Sequence, residues 1–193
     1  MQLFALLPVL AAFVASSSAI TVGASGAIEC QSETVVSETF IGKGKDVQMT
    51  HSHCETSTSK VAANDVVAVP DAPVNNVCSA SCNTFCFSPS GGGPNEDDCK
   101  VIADAILYDG ENESATFNAT AAGTAADKIT MKYHSCTTYF LNQNATATLT
   151  YCRQDWASLV TWLSGDCNSA NNAHGGLCVA ADQQWYVQVQ NSR

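Results

Sequence analysis

Ten cysteines constrain the fold of this 193-residue chain more than any other feature of its sequence. An even number of cysteines in an oxidising compartment is typical of a disulfide framework. We therefore predict that all ten are disulfide-bonded: Cys30, Cys54, Cys78, Cys82, Cys86, Cys99, Cys136, Cys152, Cys167 and Cys178. Their spacing leaves most of the pairing open.

The segment CSASCNTFC, residues 78–86, spaces three of these cysteines four residues apart. A metal site is one alternative, but the C-x2-C pairs of zinc ribbons are absent and no second cluster supplies further ligands. Redox motifs of the C-x-x-C kind are absent as well. Residues at this spacing line one stripe of a helix, so we expect each thiol to face a different partner later in the chain. The cluster is predicted to cross-link the chain, without a metal or another cofactor.

An apolar run at residues 3–15, LFALLPVLAAFVA, is followed by small residues at Ser17 and Ala19. This arrangement is typical of a secretory signal peptide that is cleaved after Ala19. The run is shorter than the ~20 residues that a membrane-spanning helix needs, so no membrane span is predicted. We expect residues 1–19 to be a signal peptide and the protein to be secreted and extracellular.

The chain is strongly acidic. Eight Lys and Arg residues against eighteen Asp and Glu residues give a net charge of −10. Such a chain repels the phosphates of nucleic acids and anionic membrane surfaces, so neither is predicted as a partner. Neutral ligands, including glycans, are compatible with this charge.

Composition divides the rest of the chain into three parts. Residues 20–54 are predicted to form a small hairpin of two strands around the glycine turn at 42–45, closed by a bridge between Cys30 and Cys54. Residues 55–77 have two prolines and few large apolar groups and are predicted as a linker. Residues 78–193 contain eight cysteines and all three tryptophans, and their number suits one cysteine-rich domain.

Periodicity predicts a mixture of helices and strands in that domain. One helix begins after Asn95, whose side chain can cap it, and continues to about residue 107, while a second covers residues 155–164. Strands are predicted at 115–120, 128–142, 146–152, 178–181 and 184–190, with the second and third paired across residues 143–144. The expected fold class is α+β, a disulfide-stapled sandwich of two helices on a mostly antiparallel sheet, preceded by the hairpin.

No motif in the sequence indicates catalysis. His51 and His53 share a strand face beside Cys54, but two imidazoles are too few for a closed metal site and Cys54 has a predicted disulfide partner. The three acidic residues after Asn95 are explained by a helix start. G-x-S-x-G, H-E-x-x-H and phosphate-loop motifs are missing. We expect no enzyme activity, no catalytic residue and no metal.

Three N-x-[ST] sequons begin at Asn112, Asn118 and Asn144. In a secreted chain they are predicted glycosylation sites and mark exposed positions. The loop at 168–176 contains no sequon, which leaves it free to bind a ligand.

This loop and the turn after it carry polar groups that suit a sugar ligand. Carbohydrate sites combine a rigid scaffold with aromatic faces and with amide, carboxylate or imidazole groups, and loops often carry them. Trp156 and Trp185 are interpreted as core residues. The predicted ligand-binding residues are Asn171, Asn172, His174, Asp182, Gln184 and Tyr186.

Residues 78–190 resemble a known family in the order of their cysteines and flanking elements. The segments CSASCNTFC, DDCKVIADAI, HSCTTYFLN, YCRQDWASLVTWLSGDC, GGLC and QQWYVQV are similar to the Y-three-type glycan-binding domain of inky-cap mushrooms. The resemblance implies a small, secreted, lectin-like fungal glycoprotein with a disulfide-bonded α/β sandwich, a glycan partner and a defensive role. It carries over no sugar-contacting residue.

Two other classes of protein compete with this interpretation. The acidic helix start with Asp98-Cys99 and the closing W-x-V-x-V at residues 185–189 are also similar to killer-toxin-like and necrosis-inducing fungal effectors, which act without enzymatic activity. Toxins of that sort are basic, so the acidic charge of this chain favours the lectin-like function. A structural cell-wall or matrix protein is the third alternative.

Overall fold

The computed structural model describes residues 30–55 and 74–192, so the predicted signal peptide and most of the predicted linker lie outside the described residues. These residues form an α+β fold that consists mostly of antiparallel sheet, as the sequence predicts. In chain order the elements are β1 (Ser32–Ile41), β2 (Val47–Glu55), β3 (Val74–Asn76), β4 (Cys82–Cys86), α1 (Glu96–Asn112), β5 (Thr116–Ala119), β6 (Lys128–Tyr133), β7 (Cys136–Asn142), β8 (Thr148–Cys152), α2 (Arg153–Trp162), a π-helical segment (Leu163–Ala170), β9 (Gly175–Ala180) and β10 (Trp185–Asn191).

Seven of the strands form one antiparallel sheet in the order β1-β2-β6-β7-β10-β9-β4. The other three form a second sheet in the order β3-β8-β5, in which β3 runs parallel to β8. Strand β2 pairs with β1 on one side and with β6 on the other. The segment predicted as a separate hairpin therefore shares a sheet with the domain that follows it, and residues 74–76 of the predicted linker form β3.

The segment 128–142, predicted as one long strand, is two strands. His134 adopts a φ of 43°, a left-handed conformation that turns the chain so that β6 pairs with β7. Strand β8, predicted to pair with this segment, lies in the second sheet between β3 and β5. The prediction was wrong because the turn at His134 and Ser135 lacks the Gly, Pro, Asn or Asp residues that usually reveal one.

Helix α1 begins as its sequence predicts. The side chain of Asn95 accepts a hydrogen bond from the backbone N–H of Asp97 at 2.7 Å, and the first turn is acidic, which the helix dipole favours. The buried stripe includes Cys99, Ile102 and Ile106. The helix continues one turn further than predicted, because Gly110 lowers helix propensity without ending the helix.

The helices and the second sheet share one core with the larger sheet. Helix α1 contacts β6 and β7, α2 contacts β8 and β10, and the two helices pack against each other. This core contains the stacked rings of Phe140 and Tyr151 and both predicted core tryptophans, Trp156 and Trp185. The indole N–H of Trp156 donates to Thr138 Oγ1 at 3.0 Å, so this buried polar group is satisfied.

All ten cysteines are disulfide-bonded, which confirms the predicted framework. The segment 78–86 is extended rather than helical, with Cys82 and Cys86 at the two ends of β4. Residues four apart also share one face of a strand, so the cysteines still reach three different partners. The pairs are Cys30–Cys54, Cys78–Cys152, Cys82–Cys178, Cys86–Cys167 and Cys99–Cys136.

Asp127 connects the hairpin to the rest of the molecule. Its carboxylate accepts hydrogen bonds from the backbone N–H of Cys54 at 2.8 Å and of Gly123 at 2.9 Å, and lies 2.9 Å from His53 Nδ1. Burial raises the pKa of Asp127, although these hydrogen bonds oppose the shift. A buried carboxylate with this many partners positions β2 against the segment that leads into β6.

We expect a double variant, Cys99→Ala with Cys136→Ala, to lower the free energy of unfolding by ~4 kcal/mol. The bridge has a sequence separation of 37 and ties α1 to β7, so its loss releases chain entropy in the unfolded state. Denaturant-induced unfolding of the variant and the wild type measures the difference. An unchanged free energy, or a reactive thiol found by titrating the denatured, unreduced wild type, would contradict the disulfide framework.

We expect His51 to make stability depend on pH. Burial, together with the charge of Arg153, lowers the pKa of His51 below its ordinary 6.5, so the folded state favours the neutral imidazole. This contribution is complete above pH 6.5 and is lost as the pH falls toward the lowered value. His51→Gln should therefore lose less thermal stability between pH 7 and pH 5 than the wild type does. Equal pH dependence in His51→Gln and the wild type would refute the assignment.

Candidate functional site

A groove of ≈ 330 Å³ lies between the β1–β2 turn and helix α1. Its volume is at the lower end of the range for small-ligand sites. One wall comes from the turn and the other from one side of the helix. The residues that line it are Gly42, Lys43, Gly44, Asp46, Val101, Asp104, Ala105 and Tyr108.

The turn is held tightly against the helix. The backbone N–H of Gly42 donates to the buried carboxylate of Asp109 at 3.1 Å, and the N–H of Lys45 donates to Gly42 O at 3.1 Å. Gly42 has a φ of +84°, and a Cβ atom at this position would lie 2.7 Å from Ala105 Cβ. Only glycine combines this conformation with this close approach. The two walls are therefore fixed relative to each other before any ligand binds.

The helical wall is a stripe of residues at helical spacing. Asp104, Ala105 and Tyr108 lie three, four and seven residues after Val101, so all four lie on one side of α1. Tyr108 is 38% exposed, which leaves much of its side chain open to a ligand. Asp104 forms an ion pair with Lys100 at 2.8 Å, and both of these side chains are largely exposed.

The chemistry of the lining favours a neutral ligand that is rich in hydroxyl groups. Asp46 and Asp104 offer carboxylate oxygens that accept hydrogen bonds from hydroxyls, and such charge-assisted bonds are the stronger kind. Lys43, on the turn beside Asp46, offers donors. The ring of Tyr108 supplies an apolar surface with a polar tip. Because Lys100 pairs with Asp104 and Lys43 lies on the same turn as Asp46, the site carries no excess charge and suits a neutral ligand.

Five of the six ligand-binding residues predicted from the sequence lie at the two ends of β9, and Tyr186 lies in β10. Asn171, Asn172 and His174 precede this six-residue strand, and Asp182 and Gln184 follow it. A strand of that length spans about 20 Å, so one small ligand does not contact both groups. Tyr186 is only 1% exposed, in contact with the ring of Tyr139, and burial raises its pKa.

The first of these groups packs against a glycine-rich loop that sequence reasoning did not connect with it. The backbone N–H of Gly91 donates to Asn172 O at 2.9 Å, and Ser90 Oγ lies 2.9 Å from His174 Nδ1. The disulfide between Cys86 and Cys167 joins the two segments. The run of three glycines at 91–93, directly after a cysteine-bearing strand, was the available signal for a close approach of backbones.

His174 has further contacts besides the one with Ser90. His174 Nδ1 also lies 3.3 Å from Ser88 O, and its ring packs against Phe87 at 5.1 Å between centroids. A catalytic base needs a third group that orients it. Within residues 30–55 and 74–192, no carboxylate forms a hydrogen bond or ion pair with His174. These contacts serve to join the two loops.

The second group forms its own network at the β9–β10 turn. Asp182 accepts a hydrogen bond from the backbone N–H of Gln184 at 3.1 Å. The side-chain oxygen of Gln184 accepts one from the amide of Asn144, which begins one of the sequons. This group is therefore occupied with the turn and with a predicted glycosylation site.

Comparison with known proteins leaves the site to be interpreted from its own residues. No family model matches the chain, and neither the curated proteins nor the solved structures contain a significant match. In the part of the chain that the structure describes, every helix is too short or too polar to span a bilayer.

We expect Gly42→Ala to reduce the free energy of unfolding by about 1–3 kcal/mol, because alanine is strained at this positive φ and its methyl group collides with Ala105. Gly44→Ala is the matched control in the same turn: there the added Cβ meets only the side chain of Asp46, at 3.2 Å, and we expect a change within about 0.5 kcal/mol. Denaturant unfolding measures both variants. Equal effects would show that the turn is not packed against α1 as described.

Proposed function

We propose that this chain is a secreted glycan-binding protein without enzymatic activity, and that its sugar ligand binds in the groove between the β1–β2 turn and α1. The observation that carries the proposal is the half-exposed ring of Tyr108 beside the carboxylates of Asp46 and Asp104. A pyranose ring presents C–H groups to an aromatic face and hydroxyl groups to its sides, so both kinds of lining group have a use.

The charge of the protein supports a neutral glycan. A net charge of −10 repels phosphorylated or sulfated ligands. A hydroxyl group, by contrast, donates to a carboxylate without bringing charge of its own. We infer that the ligand is an uncharged mono- or oligosaccharide.

The scaffold that we propose beneath the groove is the sandwich of two helices on a mostly antiparallel sheet, with the disulfide-closed hairpin contributing the turn. The α+β architecture and the five disulfides support it. The resemblance of residues 78–190 to Y-three-type domains supports glycan binding, fungal origin and a defensive role in the same way. The hairpin lies outside that resemblance, so the groove is a feature of this chain.

The non-enzymatic effector and the wall protein stay alternatives from the sequence. Neither has a specific observation in its favour among the described residues. The six residues at the ends of β9 stay a predicted binding site, but five of them divide between two separate places and Tyr186 is buried. The groove brings its polar and aromatic groups together, and we prefer it for that reason.

A glycan array tests the proposal with residues 20–193, produced without N-glycosylation so that the groove carries no attached sugar. We expect binding to neutral glycans, and we expect Tyr108→Ala to weaken it about tenfold, equivalent to ~1.4 kcal/mol. Tyr108→Phe keeps the ring and should bind nearly as well as the wild type. Leu107→Ala is the matched control, because Leu107 is an exposed apolar residue of the same helix that does not line the groove.

Two results would count against this function. If the wild type binds no neutral glycan on the array, the proposal of glycan recognition is refuted. If Tyr108→Ala binds glycans as well as the wild type does, the groove is not the binding site. Variants of Asn171 and Asn172 would then test the loop beside β9.

A further inference from the structure

Helix α1 continues the stripe of groove-lining residues by one more turn. Asn112 lies four residues after Tyr108, which itself follows Asp104 by four. Residues at this spacing are neighbours on a helix surface. Asn112 is exposed, is the last residue of α1, and begins the sequon Asn112-Glu113-Ser114. A predicted glycosylation site therefore lies at the end of the proposed sugar groove.

The side chain of Asn112 is directed toward the preceding turn of α1, which carries the groove-lining residue Tyr108. Side chains on a helix lean toward its N-terminus, which for Asn112 is the direction of Tyr108. Consistent with this, Asn112 Nδ2 donates a hydrogen bond to the backbone oxygen of Tyr108 at 2.7 Å. The nitrogen atom that receives an N-linked glycan is therefore already held beside the residue whose ring lines the groove.

Glycosylation is compatible with this hydrogen bond. The reaction forms a bond between Asn112 Nδ2 and C1 of the first sugar, and it takes the oligosaccharide from a lipid-pyrophosphate donor. Nδ2 loses one hydrogen as a proton, and the lipid pyrophosphate is the leaving group. The second hydrogen stays on Nδ2 and is available for the bond to Tyr108 O, so the first sugar begins its path next to Tyr108.

We propose that the glycan on Asn112 lies in the groove and acts as an intramolecular ligand that competes with external glycans. This inference rests on the proposed function, because it assigns the groove to sugars. A ligand tethered this closely has an effective concentration on the order of millimolar. External glycans of low affinity are therefore excluded until the attached glycan is trimmed or missing, and the glycosylation state of one residue regulates binding.

The other two sequons provide internal controls. Asn118 lies on β5, where its side-chain oxygen accepts a hydrogen bond from Thr150 Oγ1 at 2.6 Å. The amide of Asn144 bonds to Gln184 near the β9–β10 turn. Neither residue lines the groove or belongs to α1. Their glycans share the enzymology of the Asn112 glycan without its position.

The first experiment measures how far the protein protects the glycan from enzymatic release, and it needs no external ligand. The secreted glycoprotein is treated, without denaturation, with a peptide N-glycosidase, and mass spectrometry follows glycan release at each occupied sequon. We expect release at Asn112 to be several-fold slower than at the controls, and Tyr108→Ala to accelerate release at Asn112 only. An unoccupied Asn112, or a release rate at Asn112 that Tyr108→Ala leaves unchanged, would overturn the inference.

The second experiment measures competition. On the same array, glycosylated Ser114→Ala and Asn112→Gln, which both lack this sequon, should bind at least tenfold more tightly than the glycosylated wild type. Thr146→Ala, which removes the sequon at Asn144, should match the wild type. If glycan-free protein binds but Ser114→Ala gains nothing, the competition is refuted while the proposed function stands. If glycan-free protein binds no sugar, the proposed function fails, and the release experiment shows separately whether the attached glycan lies against Tyr108.

Discussion

Three disulfides connect the nine-residue segment 78–86 to parts of the chain that are distant from it in sequence. From residues 78–86 they reach the end of β8, the π-helical segment and β9. Strand β4, a five-residue edge strand with mostly exposed side chains, has little apolar burial to keep it in place. Cross-links that close long loops lower the conformational entropy of the unfolded chain, and this offsets the small apolar burial of β4. The loops around His174 keep their relative position as a result.

The groove depends on a second contact of long range. Its two walls come from the β1–β2 turn and from α1. The hydrogen bond between Gly42 and Asp109, which are 67 residues apart in the chain, joins them directly. Pairing of β2 with β6 and the bridge between Cys99 and Cys136 fix the same two parts to the sheet. A binding surface made where two parts of a fold meet is well defined only when both parts are anchored, and here each of them is anchored twice.

Local chemistry made part of this structure predictable. Residues close in sequence predict the cap at Asn95, the buried stripe of α1 and the α+β class. The even number of cysteines predicts that they are oxidised. The turn at His134 and the groove did not follow, because a left-handed histidine and a close approach at Gly42 are visible only in three dimensions. Asn172 and Asp182 were grouped because they are near in sequence, yet a six-residue strand holds them apart. Tyr186 was predicted to bind a ligand, but it is buried, as is its neighbour Trp185.

The pattern of bridges has a consequence for how the chain acquires them. Cys30 lies 24 residues before Cys54, so this bridge closes the shortest of the five loops. The three thiols of residues 78–86 must instead wait for partners at least 74 residues later, while each lies four residues from a neighbour. Short loops close more readily than long ones, so these neighbours pair with one another first. Native pairing is reached from such neighbour pairs by thiol–disulfide isomerisation, which is slow compared with collapse of the chain.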